Sequence, residues 1–454
     1  MARISIIGAG SVMFSANLVR DLCATKSLWG STVTLMDIDD ERLSMIYRLA
    51  ARYAKQMKAG LKFEITTDRK KALQEAEFVV CAVKVGGYEP MEKERKIAER
   101  NGYYRGIGDR VCDYYGGISA YYQLKFFNEL AKDMEDYCPN AWLIETANPV
   151  FEGVNLITRE TKMKTVGVCH GHFAYEQVMK RLGLKLKDVG VQMAGFNHCI
   201  WMTHFHFKGK DAYPLLDKWI EEKAQEYWKS DEYLRGTPWE AEQMSRGAVD
   251  MYRLYGLFPI GDTVRSASPW WHHTDLNTKK RWYGPTGGFD SEVGWQIYLK
   301  QREKTLKTMN KLASKTSASL TKQFPPVPSG EQHIPIIDAI ANDKQKTLQL
   351  NIPNKGSIEG IADDVVVEIP VVVNARGIHS VHVGQLPNRL TEYVIMPRMK
   401  RMEKILQAFM EGDRKSLVLM VMEDPRTKTF QQASRLVEEL LAQPWNSEAA
   451  NHYR

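Results

Sequence analysis

Two hydrophobic patterns divide this chain. Up to about residue 200, short β-branched runs alternate with stretches whose apolar positions recur at helical spacing. That alternation predicts a parallel sheet covered by helices on both faces. The strands fall at Arg3–Ile7, Ser31–Met36, Glu77–Val85, Trp142–Thr146 and Lys164–Val168, and the first two helices at about Met13–Thr25 and Glu41–Met57. Beyond about residue 190 the pattern changes. Val191–Phe196 and Ile200–Phe207 read as an antiparallel excursion, followed by aromatic-rich loops around Trp270–His273 and Arg281–Gly284. From about Asp290 the chain is mainly helical, with one strand pair near Thr347–Ile352 and Val365–Val373. Phe324-Pro325-Pro326-Val327-Pro328 is the clearest linker, and no repeat or low-complexity segment occurs.

Composition mostly excludes. The 454 residues suit two to three domains or one elaborated α/β unit. The net charge of +7 comes from 62 basic and 55 acidic residues that are interspersed, which reads as a solvated surface and excludes a nucleic-acid partner. No apolar run approaches the roughly 18 residues that span a membrane, so a membrane location is not expected. The start enters a strand at once and shows no cleavage-site pattern. Cys23, Cys81, Cys112, Cys138, Cys169 and Cys199 are scattered without CxxC spacing, as free thiols of an unsecreted protein would be. A cytoplasmic enzyme is the expectation.

Chemistry gathers where strands end, because open parallel sheets bind ligands beyond their carboxyl ends. After the first strand comes Gly8-Ala9-Gly10-Ser11, a tight turn whose N–H groups, with the following helix N-terminus, can meet a pyrophosphate. The third glycine of the usual dinucleotide fingerprint is replaced by Met13. Asp37 closes the second strand, where a carboxylate bonds an adenosine ribose 2′-hydroxyl and repels a 2′-phosphate, favouring NAD over NADP. The plainer reading is a structural turn with Asp37 capping a helix. Asn148-Pro149 follows the strand Trp142–Thr146, and Cys169-His170-Gly171-His172 follows Lys164–Val168. Asn197-His198 sits between two strand-like runs. A thiolate and an imidazole brought together can hold a first-row divalent metal and leave positions open for substrate oxygens. Spacing does not decide whether Cys169 and His198 meet, and His170 and His172 are rival ligands. Asp113 and Asp262 lie in turns, where an Asp is a cap, a general acid or a general base. Trp270, Trp271, Trp282 and Tyr283 can stack on sugar rings or simply pack.

Together these residues resemble the NAD- and metal-dependent family 4 glycoside hydrolases, over nearly the whole chain. The resemblance runs through Gly8–Ser11, Thr34–Asp39, Gly102–Ile107, Ala147-Asn148-Pro149, Cys169-His170-Gly171-His172, Ala194–His198 and Pro259–Arg265. Ser329–Pro335 and Ile352–Gly356 extend it. It looks nearest to the α-glucosidase branch, with the α-glucuronidases and α-galacturonidases next. The resemblance implies a Rossmann-like sheet over 1–195 and an α+β substrate, catalytic and oligomerisation domain over 196–454, in a lactate/malate dehydrogenase-like arrangement. It also implies a small α-linked sugar substrate and a homodimer or homotetramer.

In that chemistry sugar C3 is oxidised by NAD, a base removes the acidified C2 proton, and the glycosidic oxygen leaves C1 assisted by an acid. Water then adds to C1 and the steps reverse. A divalent metal, usually Mn²⁺, binds the 2- and 3-oxygens as a Lewis acid. Carried over by position, Cys169 and His198 become metal ligands and Asn148 a substrate contact beside the nicotinamide. Asp113 becomes the leaving-group acid, and Asp262 the C2 base or a metal-side partner. Some relatives use a Tyr as that base. The loop Gly106–Gly117 is shorter than the α-glucosidase pattern, which makes Asp109 a rival acid.

Three other functions stay in play. A uronidase needs a cation for the sugar carboxylate, for which Arg265, Arg281 and Arg376 are available. An NAD-dependent 2-hydroxyacid dehydrogenase needs an Asp–His pair and an Arg but no metal, and leaves the Cys169–His198 pairing idle. A non-catalytic NAD sensor predicts binding without metal-dependent turnover.

Overall fold

The computed structural model describes residues 1–105, 117–315, 317 and 319–454. Six strands run parallel: β1 (Arg3–Ile7), β2 (Thr32–Met36), β3 (Lys62–Thr66), β4 (Phe78–Cys81), β5 (Trp142–Glu145) and β6 (Lys164–Gly167). Their order is β3-β2-β1-β4-β5-β6. Ile4, Ile6, Val79, Val80, Leu143 and Ile144 are fully buried, as expected for strands covered on both faces. Between β1 and β2 runs α1 (Val12–Ala24), and after β2 runs α2 (Asp40–Met57). The start of α2 is set by Asp39, whose side chain accepts the Arg42 N–H at 3.1 Å, with Asp40 and Glu41 in the electropositive first turn.

The sheet does not stop at β6. Beside it lie β11 (Lys346–Pro353) and β12 (Val366–Asn374), an antiparallel pair. Then come β7 (Val189–Phe196), β8 (Cys199–Phe207) and β10 (Phe258–Ile260), all antiparallel. The short strands β9 (Lys210–Asp211) and β13 (Gly377–Ser380) pair with β8 and β12. The result is one mixed sheet of thirteen strands among the described residues. A strand pair from the C-terminal half is therefore inserted between β6 and β7, which are neighbours in sequence.

The five expected parallel strands are present within a few residues. The pattern missed β3, whose Lys62, Glu64 and Thr66 give it the half-exposed face of an edge strand instead of a buried apolar run. The fourth strand ends at Cys81, short of Val85, ahead of the turn Gly86-Gly87. The linker 324–328 joins two helices, and Tyr53 on α2 donates to the Phe324 carbonyl at 2.8 Å. Trp219, Trp228, Tyr233 and Tyr283 build a second apolar cluster under β8 and β10, so Tyr283 packs, whereas Trp270 and Trp271 are exposed. No described helix is long and apolar enough to cross a membrane.

Candidate active site

The carboxyl ends of β1, β4, β5 and β6 share one edge of the sheet. At about 4.8 Å per strand, the ends of β1 and β6 stand about 14 Å apart. At the β1 end Gly8 has φ +87°, and a Cβ there would lie 2.8 Å from a Val83 methyl and 2.9 Å from the Ala82 carbonyl carbon. Gly10 meets Asp37 just as closely: its N–H donates to Oδ2 at 2.8 Å, and a Cβ would stand 2.7 Å from that oxygen. Asp37 Oδ1 accepts the Asp39 N–H at 3.0 Å. Asp37 thus braces the turn, and the capping of α2 belongs to Asp39. Backbone donors at a helix N-terminus with a carboxylate at the end of β2 suit the pyrophosphate and ribose of a dinucleotide.

The β6 end carries the second group. Cys169, His198 and Asp262 each offer one donor atom, and these atoms lie within 4.8 Å of one another; no other such trio occurs among the described residues. Three local structures bring them together. Cys169 follows β6, with its sulfur accepting the Gly171 N–H at 3.3 Å. His198 occupies the two-residue turn of the β7–β8 hairpin, closed by the pairing Phe196↔Cys199, and adopts φ 57°. Asp262 follows β10, which pairs with β8 through Ile260↔Ile200. Its Oδ2 lies 3.0 Å from His198 Nε2. The thiol loop meets the carboxylate loop because Gly261 (φ +63°) packs directly on Gly171, where a Cβ would be 2.3 Å from the Gly171 carbonyl oxygen.

Electrostatics sort these groups. Burial alone raises the Asp262 carboxyl, but Arg265 and His198 outweigh it and hold it below the usual range. Arg265 is held in turn by Glu242 at 2.8 Å and by Asp262. Burial, with the carboxylates of Glu368 and Asp262 alongside, pushes the Cys169 thiol up. A sulfur that needs positive charge to ionise, beside an imidazole and a carboxylate, is a donor set suited to a first-row divalent cation. His172 lies outside this group: burial pushes it down to about 4, and its Nδ1 sits 3.1 Å from the Cys169 carbonyl. His170 also lies outside it, exposed and 3.6 Å from Glu331.

Asn148, joined to Pro149 by a cis bond, lies at the end of β5 between the two groups, its buried Oδ1 without a hydrogen-bond partner. Asp113 and Asp109 lie outside the described residues. Sequence reasoning missed Glu368 and named Asn197 without giving it a role, although both adjoin Cys169, and it read Arg265 only as an anchor for a sugar carboxylate. The signal available for Asn197 was its place beside His198; Glu368 sits inside an otherwise apolar strand, and that interruption was its signal.

Fold and site define an α/β protein that pairs a glycine-rich nucleotide turn with a sulfur–nitrogen–oxygen donor cluster. The chain belongs to family 4 of the glycosyl hydrolases: the family model matches residues 3–185 and the model of its C-terminal domain matches 193–427. It is 28% identical over 397 residues to an α-galactosidase of Bacillus subtilis (strain 168), covering 86% of this chain and 85% of that one. It is 25% identical over 464 residues to an α-galacturonidase of Lachnoclostridium phytofermentans, covering 97% and 95%. Among solved structures, a 6-phospho-α-glucosidase from gut microorganisms, in complex with NAD and Mn²⁺, shares the fold with a TM-score of 0.78 at 18% identity, over 97% of both chains.

Proposed function

We propose that this protein is an α-glycosidase acting on α-glucosides, with NAD on the Gly8–Ser11 turn and Mn²⁺ or another divalent cation on Cys169 and His198. The convergence of Cys169, His198 and Asp262 on one point carries the reading. In family chemistry NAD, when bound, supplies a reversible hydride acceptor for sugar C3. The cation supplies a Lewis acid for the sugar 2- and 3-oxygens. Gly8 and Gly10 bring backbone N–H groups to the pyrophosphate, and Asp37 holds the adenosine ribose. Asn148 offers its unpartnered amide oxygen to a sugar hydroxyl. Asp262, kept ionised by Arg265, takes the place of a third donor in preference to the C2 base. Protonation of the leaving group falls to Asp113, with Asp109 as its rival. Residues 1–195 then serve the cofactor, and 196–454 complete the sugar and metal site.

A neutral sugar is favoured over a uronide by the state of the three arginines. Arg265 is committed to Glu242 and Asp262. Arg281 is exposed and lies over the Trp282 ring at 5.6 Å. Arg376 sits in the turn after β12, beyond Asn374, which is itself about 20 Å along the strand from Glu368 at roughly 3.3 Å per residue. The 2-hydroxyacid dehydrogenase reading asked for an Asp–His pair with an Arg, and Asp262, His198 and Arg265 supply one. That Arg is already neutralised by two carboxylates, however, and the thiol beside the pair would be idle.

The test is a panel of nitrophenyl α-glucosides, α-galactosides and α-glucuronides with NAD and Mn²⁺ supplied together and each omitted in turn. Hydrolysis of the glucoside that needs both is the expected result. Turnover indifferent to EDTA, or net accumulation of NADH, would sink the mechanism. A faster α-glucuronide would overturn the sugar assignment.

A further inference from the structure

The row of residues that runs across the sheet behind the donor cluster contains a carboxylate that packing does not explain. Four strands place Gly167 (β6), Asn351 (β11), Glu368 (β12) and Gly195 (β7) side by side in register. Both polar members are fully buried. Around Glu368 the strand reads Val366-Val367-Glu368-Ile369, and all three apolar residues are fully buried. A carboxyl in the middle of a covered sheet costs several kcal/mol of desolvation unless its partners compensate. Here the compensation is partial. Oε2 accepts a hydrogen bond from the Asn197 amide at 3.1 Å, and the side chain of Asn351, its neighbour in the row, also favours the charged carboxylate without offsetting its burial. Of the flanking glycines, Gly167 leaves room for Asn351, from which a Cβ would sit 2.8 Å, while Gly195 is required by its own hairpin, where a Cβ would sit 2.0 Å from the Cys199 carbonyl oxygen.

What Glu368 touches gives the reason for its presence. Asn197 stands in the same two-residue turn as His198, and its side chain adjoins Cys169. One side chain therefore links the two donors that come from different strands, and that side chain is held from behind by Glu368. The Asn197 amide gives one N–H to the Glu368 carboxylate, which fixes the plane of the amide beside the sulfur.

We propose that Glu368 is a positioning residue that, through Asn197, fixes the Cys169 sulfur and the His198 turn at the separation a divalent cation requires. This rests on the metal reading given above. Outer partners of this kind set ligand orientation, and their loss typically lowers metal affinity about 10–100-fold. Leucine fills the volume of Glu368 in a strand of Val and Ile and removes the acceptor. Glutamine keeps an acceptor oxygen for Asn197.

The experiment is a titration of the full chain with Mn²⁺ alone, followed by EPR of the free ion, with NAD affinity and Tm measured on the same samples. The expected result for Glu368→Leu is a Mn²⁺ Kd raised about 10–100-fold, with NAD affinity within twofold and turnover recovered at high Mn²⁺. Asn197→Ala should match it, and Glu368→Gln should stay within a few-fold of wild type. A merely structural role would move Tm and NAD affinity together with Mn²⁺. Wild-type Mn²⁺ affinity in Glu368→Leu overturns the proposal. Should that variant not fold, Asn197→Ala decides, being a change in the turn and not in the sheet. Cys169→Ser separates the two readings: if it too binds Mn²⁺ as wild type, the metal assignment falls, and if it alone loses Mn²⁺, only the role of Glu368 falls.

Discussion

The two groups on the carboxyl edge of this sheet are built in opposite ways. The turn at the end of β1 draws chiefly on Gly8, Gly10 and Asp37, all within the first βαβ unit, and is closed by the 2.8 Å bond from Gly10 to Asp37 and by the Gly8 and Ala9 N–H bonds to the Met36 carbonyl, each 2.9 Å. The donor cluster needs a loop after β6, the tip of the β7–β8 hairpin and a loop after β10, with β12 packed behind them. The first group is local and depends on one strand–helix turn. The second exists only if a hairpin from the C-terminal half enters the sheet between β6 and β7 in the right register. A one-residue slip of β12 would point Glu368 to the other face and replace it with Val367 or Ile369. The two groups should therefore fail independently, and the second should be the more fragile.

The sharpest way to break that comparison is a crossed pair of variants. Cys169→Ser removes a donor and is expected to raise the Mn²⁺ Kd by at least about a hundredfold, abolishing hydrolysis while NAD affinity stays near wild type. Asp37→Ala removes a hydrogen bond to a carboxylate and is expected to weaken NAD by about 10–100-fold, leaving Mn²⁺ binding unchanged. Calorimetric titration of each variant with each ligand reads all four numbers. If either variant loses both ligands, the two groups are not independent.

Gly261→Ala probes the assembly itself. The new Cβ would fall 2.3 Å from the Gly171 carbonyl oxygen, and φ +63° is a conformation alanine resists. The cost is about 1–3 kcal/mol. It falls where the thiol loop meets the carboxylate loop, so Mn²⁺ affinity should drop while NAD affinity holds. Gly183→Ala, also at positive φ (+70°) but with no atom within 4 Å of its Cβ, is the control for backbone strain alone. Equal Mn²⁺ affinity in the two variants would show that the contact at Gly261 does not shape the cluster.

How much of this could be read from the sequence follows the same division. Gly8, Gly10 and Asp37 were legible because strand, turn and acid lie in order within a short span, and the parallel strands because burial on both faces makes them continuous apolar runs. Cys169, His198 and Asp262 were legible as chemistry, each at the end of a run, but their meeting was not, since no periodicity encodes which strand pairs with which. The resemblance to a family proposed that meeting; spacing alone left His170 and His172 equally open. Asn197 was overlooked because it was read only as the neighbour of His198. Glu368 was overlooked because a single polar residue in an apolar strand looks like noise until Asn351 and Gly195 are seen on either side.

The smallest expected effect concerns a second buried carboxyl, on the local side of the comparison. Glu145 ends β5, accepts the Ala147 N–H at 2.6 Å and shapes the turn that presents Asn148. Burial pushes its carboxyl up to about 8, in spite of that N–H. The folded protein therefore keeps a proton that the unfolded chain releases near its ordinary value of 4.5. With more protons bound in the folded state, stability falls as pH rises between those values and levels off above about 8. The slope from one such group is at most about 1.4 kcal/mol per pH unit. Glu145→Gln removes it, so urea unfolding at pH 5.5, 6.5 and 7.5 should show the variant gaining on wild type at each step. Glu368, pushed up to about 7 by burial, contributes a slope of the same sign to both proteins and cancels in the difference. A constant gap between variant and wild type across this range would mean that Glu145 is already ionised in the fold, with its charge stabilised by neighbours beyond the N–H groups of its own turn.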